Sequence, residues 1–272
     1  MQVIQFDTNE EAILTMYDYV RQGVESEARG LKTRNVRNLS IILDAAKPIM
    51  TSFNARKLNL PYCKKEWLWY LGANRFDDSI EQHATMWKKL KQADGSYHSN
   101  YGQYIFAEPD SGLDSQFWYC INQLIVDQGS RRSTIMLLKS EHLYPTNTDT
   151  VCTYGINFTI ELGVLHMTVM MRSNDVIFGF TNDAFCFHQL YELVYAILAH
   201  NLPDLQKGTY THMANSMHVY ERHFEMIDQR VEEDLAGYYR IDVPKPTAQE
   251  AIALVRSRGE SVAGEYAQWL HN

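Results

Sequence analysis

Apolar and polar positions along the chain keep one of two periods, and each stretch declares its element by the period it keeps. Ile13, Met16, Tyr17 and Val20 fall at i, i+3, i+4 and i+7, the spacing of an amphipathic helix. Residues 39–43 read as a strand. Residues 64–71 (KKEWLWYL) are apolar nearly all round, as in a buried helix, with Glu66 as the acid among them. Residues 115–127 read as a further helix, and 133–138 and 153–171 as strands. In the last, Leu165, Met167, Val169 and Met171 alternate with His166, Thr168, Met170 and Arg172, so Arg172 leaves the sheet on the face opposite Met171. Asn182 offers an N-cap to the apolar run 184–200, which is long enough for a central helix. Pro244 and Pro246 then open a tail of one or two helices ending at Trp269. Helices and strands mix without regular βαβ alternation, which predicts an α+β fold, a mixed β-sheet packed with helices. No repeat or Pro/Gly-rich linker divides the chain. The expectation is a single domain over residues 1–272 with a helical tail at about 244–272.

Composition narrows the function more than the fold. With 45% hydrophobic and 21% charged residues in 272, the chain is globular, not disordered or fibrous. It has no apolar run of membrane-span length. The opening MQVIQFDTNEE is acidic where a secretory leader would be basic and then apolar, so the expected compartment is the cytoplasm. Lys plus Arg is 25 and Asp plus Glu 33, a net charge of −8, the wrong sign for a protein that wraps nucleic acid. A bound phosphate therefore needs a local Arg cluster. Cys63, Cys120, Cys152 and Cys186 are scattered without a CxxC pair, which argues for reduced thiols and against a zinc site or a disulfide framework. His212, His218 and His223 match no ligand spacing, so no metal is expected. The signatures GxGxxG, GxxxxGK[ST], HExxH and GxSxG are missing.

What remains is a dispersed constellation: Glu66, Tyr101, Arg131 and Arg132, Cys152, the run 172–175 (RSND), Asp183, and His218 with Tyr220. Each has a bland reading alone. Glu66 fits a half-exposed helix acid, the Arg pair a solvated strand end, Cys152 a packed thiol, and His218 with Tyr220 one face of a strand. Order and local wording change the weighting. EWLWYL, SNYG, GSRR, the Cys in VCTYGINF, MRSNDVIFGFTND and SMHVYERHF follow one another over residues 32–224. In these segments the chain resembles the thymidylate synthase family, and within it the cytosine-specific hydroxymethylases of T-even phages.

The resemblance implies a thymidylate synthase-like fold with a sheet face at a homodimer interface. It implies nucleotide monophosphate and 5,10-methylenetetrahydrofolate as substrate and cosubstrate, without nucleic acid or membrane as partner. C5 of a pyrimidine is a poor nucleophile until a thiolate adds to C6, and by resemblance Cys152 is that thiol. Arg172 is implied as the cation that lowers its pKa and also meets the phosphate. Arg131 and Arg132 carry planar forks suited to a phosphate dianion and are implied to reach the partner's site. Ser173 is implied to donate to the same phosphate, and His218 and Tyr220 to hold the sugar hydroxyl. One of Lys32, Arg34 or Arg37 is implied to close over the phosphate, and the spacing leaves open which. Glu66 matches the catalytic glutamate that organises water and relays protons, and its apolar helix predicts a raised pKa. Trp87, Asp175 and Gly179 match folate-contacting positions, with core packing the alternative for Trp87. Tyr101 is implied to support Cys152.

Two departures carry information. Thr153 follows Cys152 where the family's synthases have His, and Asp183 stands where uracil-specific members have Asn. A carboxyl suits the exocyclic amino group and a protonated N3 of cytosine, whereas an amide suits uracil. The implied reaction is hydroxymethylation of dCMP. A dCMP C5-methyltransferase, a CMP hydroxymethylase, a dUMP-acting relative and a nucleotide-binding protein without catalysis stay open as alternatives.

Overall fold

The computed structural model describes residues 2–28, 30–49, 51–53, 57–108, 114–232 and 237–272. The first part of the chain runs β1 (Gln2–Gln5), α1 (Asn9–Arg21), β2 (Val24–Ala28), β3 (Leu31–Asp44), β4 (Thr51–Phe53) and α2 (Leu60–Leu71). Thr8 caps α1 by accepting from the Glu11 amide, and the apolar stripe read from sequence, Ile13, Met16, Tyr17 and Val20, is buried. Asn59 caps α2, and Pro61 sits in its first turn, where a missing N–H costs nothing. The middle holds the short helices α3 (Trp87–Leu90) and α4 (Gly102–Ile105), then α5 (Gln116–Val126) capped by Ser115, and β5 (Thr134–Met136). Then come β6 (Thr153–Glu161), β7 (Val164–Met171), β8 (Asn174–Asp175), α6 (Gly179–Asn201) and β9 (Gln206–Tyr220). The chain closes with α7 (Phe224–Glu232), β10 (Tyr238–Arg240), α8 (Ala248–Arg256) and α9 (Glu265–His271).

Eight strands form one mixed sheet in the order β1-β3-β9-β7-β6-β5, with β2 beside β3 and β8 beside β9. β3 and β9 are antiparallel, with Asn35 opposite His218 and Thr33 opposite Tyr220. β7 and β8 both run parallel to β9, and β8 sets Asp175 opposite His218. The alternation read from β7 holds: Leu165, Met167, Val169 and Met171 are buried, and His166, Thr168 and Met170 lie half-buried on the other face. That second face continues with the uncharged Asn157, Thr159, Thr211 and Met213, also half-buried. Central helix α6 packs on the buried face, where the Tyr191 hydroxyl donates to the Leu165 carbonyl at 2.9 Å.

Three local expectations change. The strand read over 153–171 is a hairpin, split by Leu162 and Gly163 with φ of 51° and 78°. The central helix begins at Gly179, and Asn182 lies inside its first turn, its amide bonded to the Phe178 carbonyl. Asn182 therefore is not the N-cap. Residues 133–138 keep only three paired positions, Thr134–Met136, because β5 is a short edge strand. The tail forms two helices, ending at His271.

Candidate active site

Cys152 sits at the start of β6, where the sheet ends, and Arg172 follows the last residue of the neighbouring β7. Pairing of these strands makes the two side chains neighbours: the Arg172 amide donates to the Cys152 carbonyl at 2.8 Å, and Arg172 Nη2 donates to Cys152 Sγ at 3.3 Å. The guanidinium is fixed further by the Thr150 and Val151 carbonyls, at 2.6 and 3.1 Å, and its Nη1 donates to the Ser173 hydroxyl at 3.2 Å. Burial raises the Cys152 thiol above its ordinary range, and the Arg172 charge opposes the shift. The Asp183 and Asp149 carboxyls add to the rise, and the Ser173 hydroxyl acts against it. Arg172 thus acts in the direction expected from sequence, but burial outweighs it.

Glu66 reaches the same region from α2 and is 6% exposed. Its Oε1 accepts from the Tyr70 hydroxyl at 3.3 Å, and Oε2, buried, has no partner among the described residues. Burial and then the Asp183 charge push its carboxyl up to about 8. A carboxyl so placed holds a proton near neutrality, the property that acid–base relay needs. Tyr70 stacks on Tyr101 at 5.4 Å between centroids, and Tyr101 stacks in turn on Phe187. Gly102 makes this approach possible, since a Cβ there would lie 1.6 Å from the Tyr70 carbonyl oxygen. Tyr101 is buried beside Cys152, whose charge, after burial itself, contributes to raising its phenol.

Asp183 lies in the first turns of α6, and its Oδ2 accepts from Asn174 Nδ2 at 2.8 Å. Burial lifts its carboxyl to about 7, the Asn174 bond acts against the rise, and Asp175 adds to it. Cys152, Glu66, Tyr101, Arg172, Ser173 and Asp183 therefore form one connected group. Asp175 and Gly179 border it. Asp175 Oδ1 accepts from the Ile177 amide at 3.1 Å, and a Cβ at Gly179 would meet Asn174 Oδ1 at 2.7 Å. Trp87 is 4% exposed, packed 4.8 Å from Trp69, with Nε1 donating to the Tyr62 hydroxyl at 3.0 Å. It forms a wall behind Tyr62, which borders Glu66.

His218 and Tyr220 share a face of β9, their rings perpendicular at 5.0 Å. Of the three basic candidates on β3, Arg34 is ion-paired with Asp228 and Glu25 and lies over the Phe224 ring. Lys32 meets Glu221 at the surface, and Arg37 is exposed. Arg131 and Arg132 are both exposed on the turn before β5, outside this chain's own group. Two further residues complete the site: Asp149, which the sequence did not single out, and Asn174, which it named only within the run 172–175. Asp149 Oδ2 accepts from both the amide and the hydroxyl of Ser99, tying the loop that carries Tyr101 to the loop that leads into Cys152. Asn174 orients Asp183. Asp149 has no motif of its own, because it acts through a partner 50 positions away. Among the described residues no group of three or more His, Cys, Asp or Glu is arranged to hold a metal. His212 faces Tyr210 and Asn174 instead.

At the end of the sheet the fold thus brings together a thiol with a fixed cation and two buried carboxyls that hold protons near neutrality. Residues 14–256 match the thymidylate synthase family, and the chain belongs to that family. It is 30% identical over 206 residues to the deoxycytidylate 5-hydroxymethyltransferase of Enterobacteria phage T4, covering 73% of this chain and 80% of that protein. It is 26% identical over 248 residues to the thymidylate synthase of Bacillus mojavensis, covering 85% of each. The solved thermostable thymidylate synthase A from Bacillus subtilis shares the fold, with a TM-score of 0.68 at 21% identity over 88% of this chain and 87% of that one. Members of the family use methylenetetrahydrofolate as cosubstrate and act as homodimers. The orphaned Oε2 of Glu66 leaves a buried polar atom for a ligand's hydrogen-bonding group to meet. Among the described residues no helix is long and apolar enough to cross a membrane.

Proposed function

We propose that this chain converts dCMP to 5-hydroxymethyl-dCMP, as a single-domain cytoplasmic enzyme working as a homodimer with shared sites. The observation that carries the reading is Asp183, a carboxyl held by Asn174 at 2.8 Å and lifted to about 7. Near neutrality it shares its proton, which lets one group both accept from the 4-amino group of cytosine and meet N3. The 30% identity to phage deoxycytidylate 5-hydroxymethyltransferase supports it.

Methylenetetrahydrofolate supplies a one-carbon unit at the oxidation level of formaldehyde, with Asp175 and Gly179 as residues that would hold it and Trp87 backing the site from behind Tyr62. Cys152 Sγ adds to C6, which gives C5 the electron pair to bond the one-carbon unit. Arg172, already donating to Sγ, stabilises the thiolate as it forms. C5 then loses its hydrogen as a proton while the bond from the methylene carbon to the folate nitrogen breaks and tetrahydrofolate leaves, water adds to the methylene carbon, and Sγ leaves C6. Glu66 holds and releases protons for these steps. Arg172 and Ser173, one of Lys32, Arg34 or Arg37, and Arg131 and Arg132 of the second subunit hold the phosphate. His218 and Tyr220 hold the sugar. Incubating the protein with methylenetetrahydrofolate and each of dCMP, CMP and dUMP tests the substrate. Consumption of dCMP well ahead of the other two supports the reading, and faster consumption of dUMP contradicts it.

A further inference from the structure

The carboxyl of Asp183 ends a chain of buried polar groups. Asn174 Nδ2 donates to Asp183 Oδ2 at 2.8 Å, lies 2.9 Å from Met171 Sδ and 3.4 Å from His212 Nε2. His212 Nδ1 and the Tyr210 hydroxyl are 2.8 Å apart. His212 and Tyr210 are fully buried and Asn174 is 3% exposed. The His212 ring is set edge-on to Phe180 and Tyr210, with centroids 5.1 and 5.9 Å away.

Donor and acceptor roles along this chain are linked. An amide NH₂ donates only, so a ring nitrogen facing it must offer its lone pair. His212 Nε2 is then the acceptor, its ring proton is on Nδ1, and Nδ1–H donates to the Tyr210 oxygen. With its NH₂ towards Asp183, Asn174 keeps Oδ2 as an acceptor, and a carboxyl proton resides on Oδ1. The other ring tautomer reverses each role: Nε2–H demands the amide carbonyl, and that carbonyl demands a proton on Oδ2. Burial holds the imidazole neutral by pushing its pKa down to about 3, so one tautomer or the other is always present. The location of the carboxyl proton matters because cytosine and uracil differ by exchange of donor and acceptor at N3 and at the 4-substituent. A carboxylic acid matches either base, according to which oxygen carries the proton.

We infer that His212 is a positioning residue for base choice: through the Asn174 amide it fixes which oxygen of Asp183 carries the proton, and the Tyr210 hydroxyl partners its Nδ1. The inference rests on the reading of Asp183 as the base contact and adds that the carboxyl does not decide the base alone.

The test is kcat/KM for dCMP and for dUMP in wild type, His212→Phe, His212→Gln and Tyr210→Phe, with thermal melting of each. His212→Phe is expected to change the dCMP-to-dUMP ratio about ten- to a hundredfold, the effect of one mismatched buried hydrogen bond. His212→Gln, whose amide oxygen accepts from Asn174 as Nε2 does, is expected to restore most of the ratio, and Tyr210→Phe to change it less than His212→Phe. Equal loss on both nucleotides with the ratio intact overturns the inference, as does failure of Gln to restore what Phe removes. Should His212→Phe not fold, Tyr210→Phe decides, and an unchanged ratio there overturns it. A wild type that prefers dUMP contradicts the cytosine reading separately, because His212 is judged by movement of the ratio whichever base leads.

Discussion

Arg172 and Cys152 are joined twice, by the Arg172 amide to the Cys152 carbonyl at 2.8 Å and by Arg172 Nη2 to Sγ at 3.3 Å. The guanidinium cannot drift from the thiol without losing the Thr150 and Val151 carbonyls as well. Fixed cation and buried thiol pull in opposite directions, and burial dominates. Alkylation of Cys152 by iodoacetamide should therefore rise with pH and still be rising above neutrality. Arg172→Gln should slow it and Asp183→Asn speed it. Mass analysis of the labelled peptide checks this, and faster labelling of Cys63, Cys120 or Cys186 contradicts it.

Cys152→Ser should lose essentially all turnover and keep nucleotide binding, because the hydroxyl is too weakly acidic to replace the thiolate while the phosphate contacts remain. Replacing Cys63, Cys120 or Cys186 by Ser should leave the covalent step intact. Calorimetric binding of dCMP beside steady-state assays separates the two effects. Product formation by Cys152→Ala ends the assignment.

Glu66 gives a signed pH prediction. Its folded carboxyl holds its proton up to about 8, against an ordinary value of 4.5. Between those limits the native state binds more protons than the unfolded state, so this group's contribution is greatest below the lower value and falls as pH rises, by about 1.4 kcal/mol per pH unit. Glu66→Gln removes the titration. Relative to the variant, the wild type should lose melting temperature steadily across that window, and a pH-independent difference contradicts the shift. The same variant should lose turnover by about 10²–10⁴-fold.

Arg131 and Arg132 stand exposed on the turn before β5, and the proposed shared sites would give them a phosphate to meet on the second subunit. Mixing Arg132→Ala with Cys152→Ala subunits should restore activity through hybrid dimers holding one intact site. No recovery after verified subunit exchange, or a strictly monomeric protein, contradicts this.

Most helices and the sheet's two faces were legible because each keeps its own period, as β7 shows from Leu165 to Met171. The start of α6 was not. Asn182 looks like a cap in sequence, yet the helix already runs from Gly179, after Phe178 and without a side-chain cap, at a position where a Cβ would crowd Asn174. The named chemistry was legible where a segment carries it whole, as in RSND and SMHVY. Links between segments were not. Asp149 meets Ser99 across 50 positions and Asn174 meets His212 across 38, and no local pattern encodes either.

The most direct test of the account is the product made from dCMP and methylenetetrahydrofolate in water enriched with heavy oxygen. Capture by water predicts a hydroxymethyl nucleotide carrying one heavy oxygen, with tetrahydrofolate released and no dihydrofolate formed. A methylated nucleotide without the label, accompanied by dihydrofolate, contradicts it.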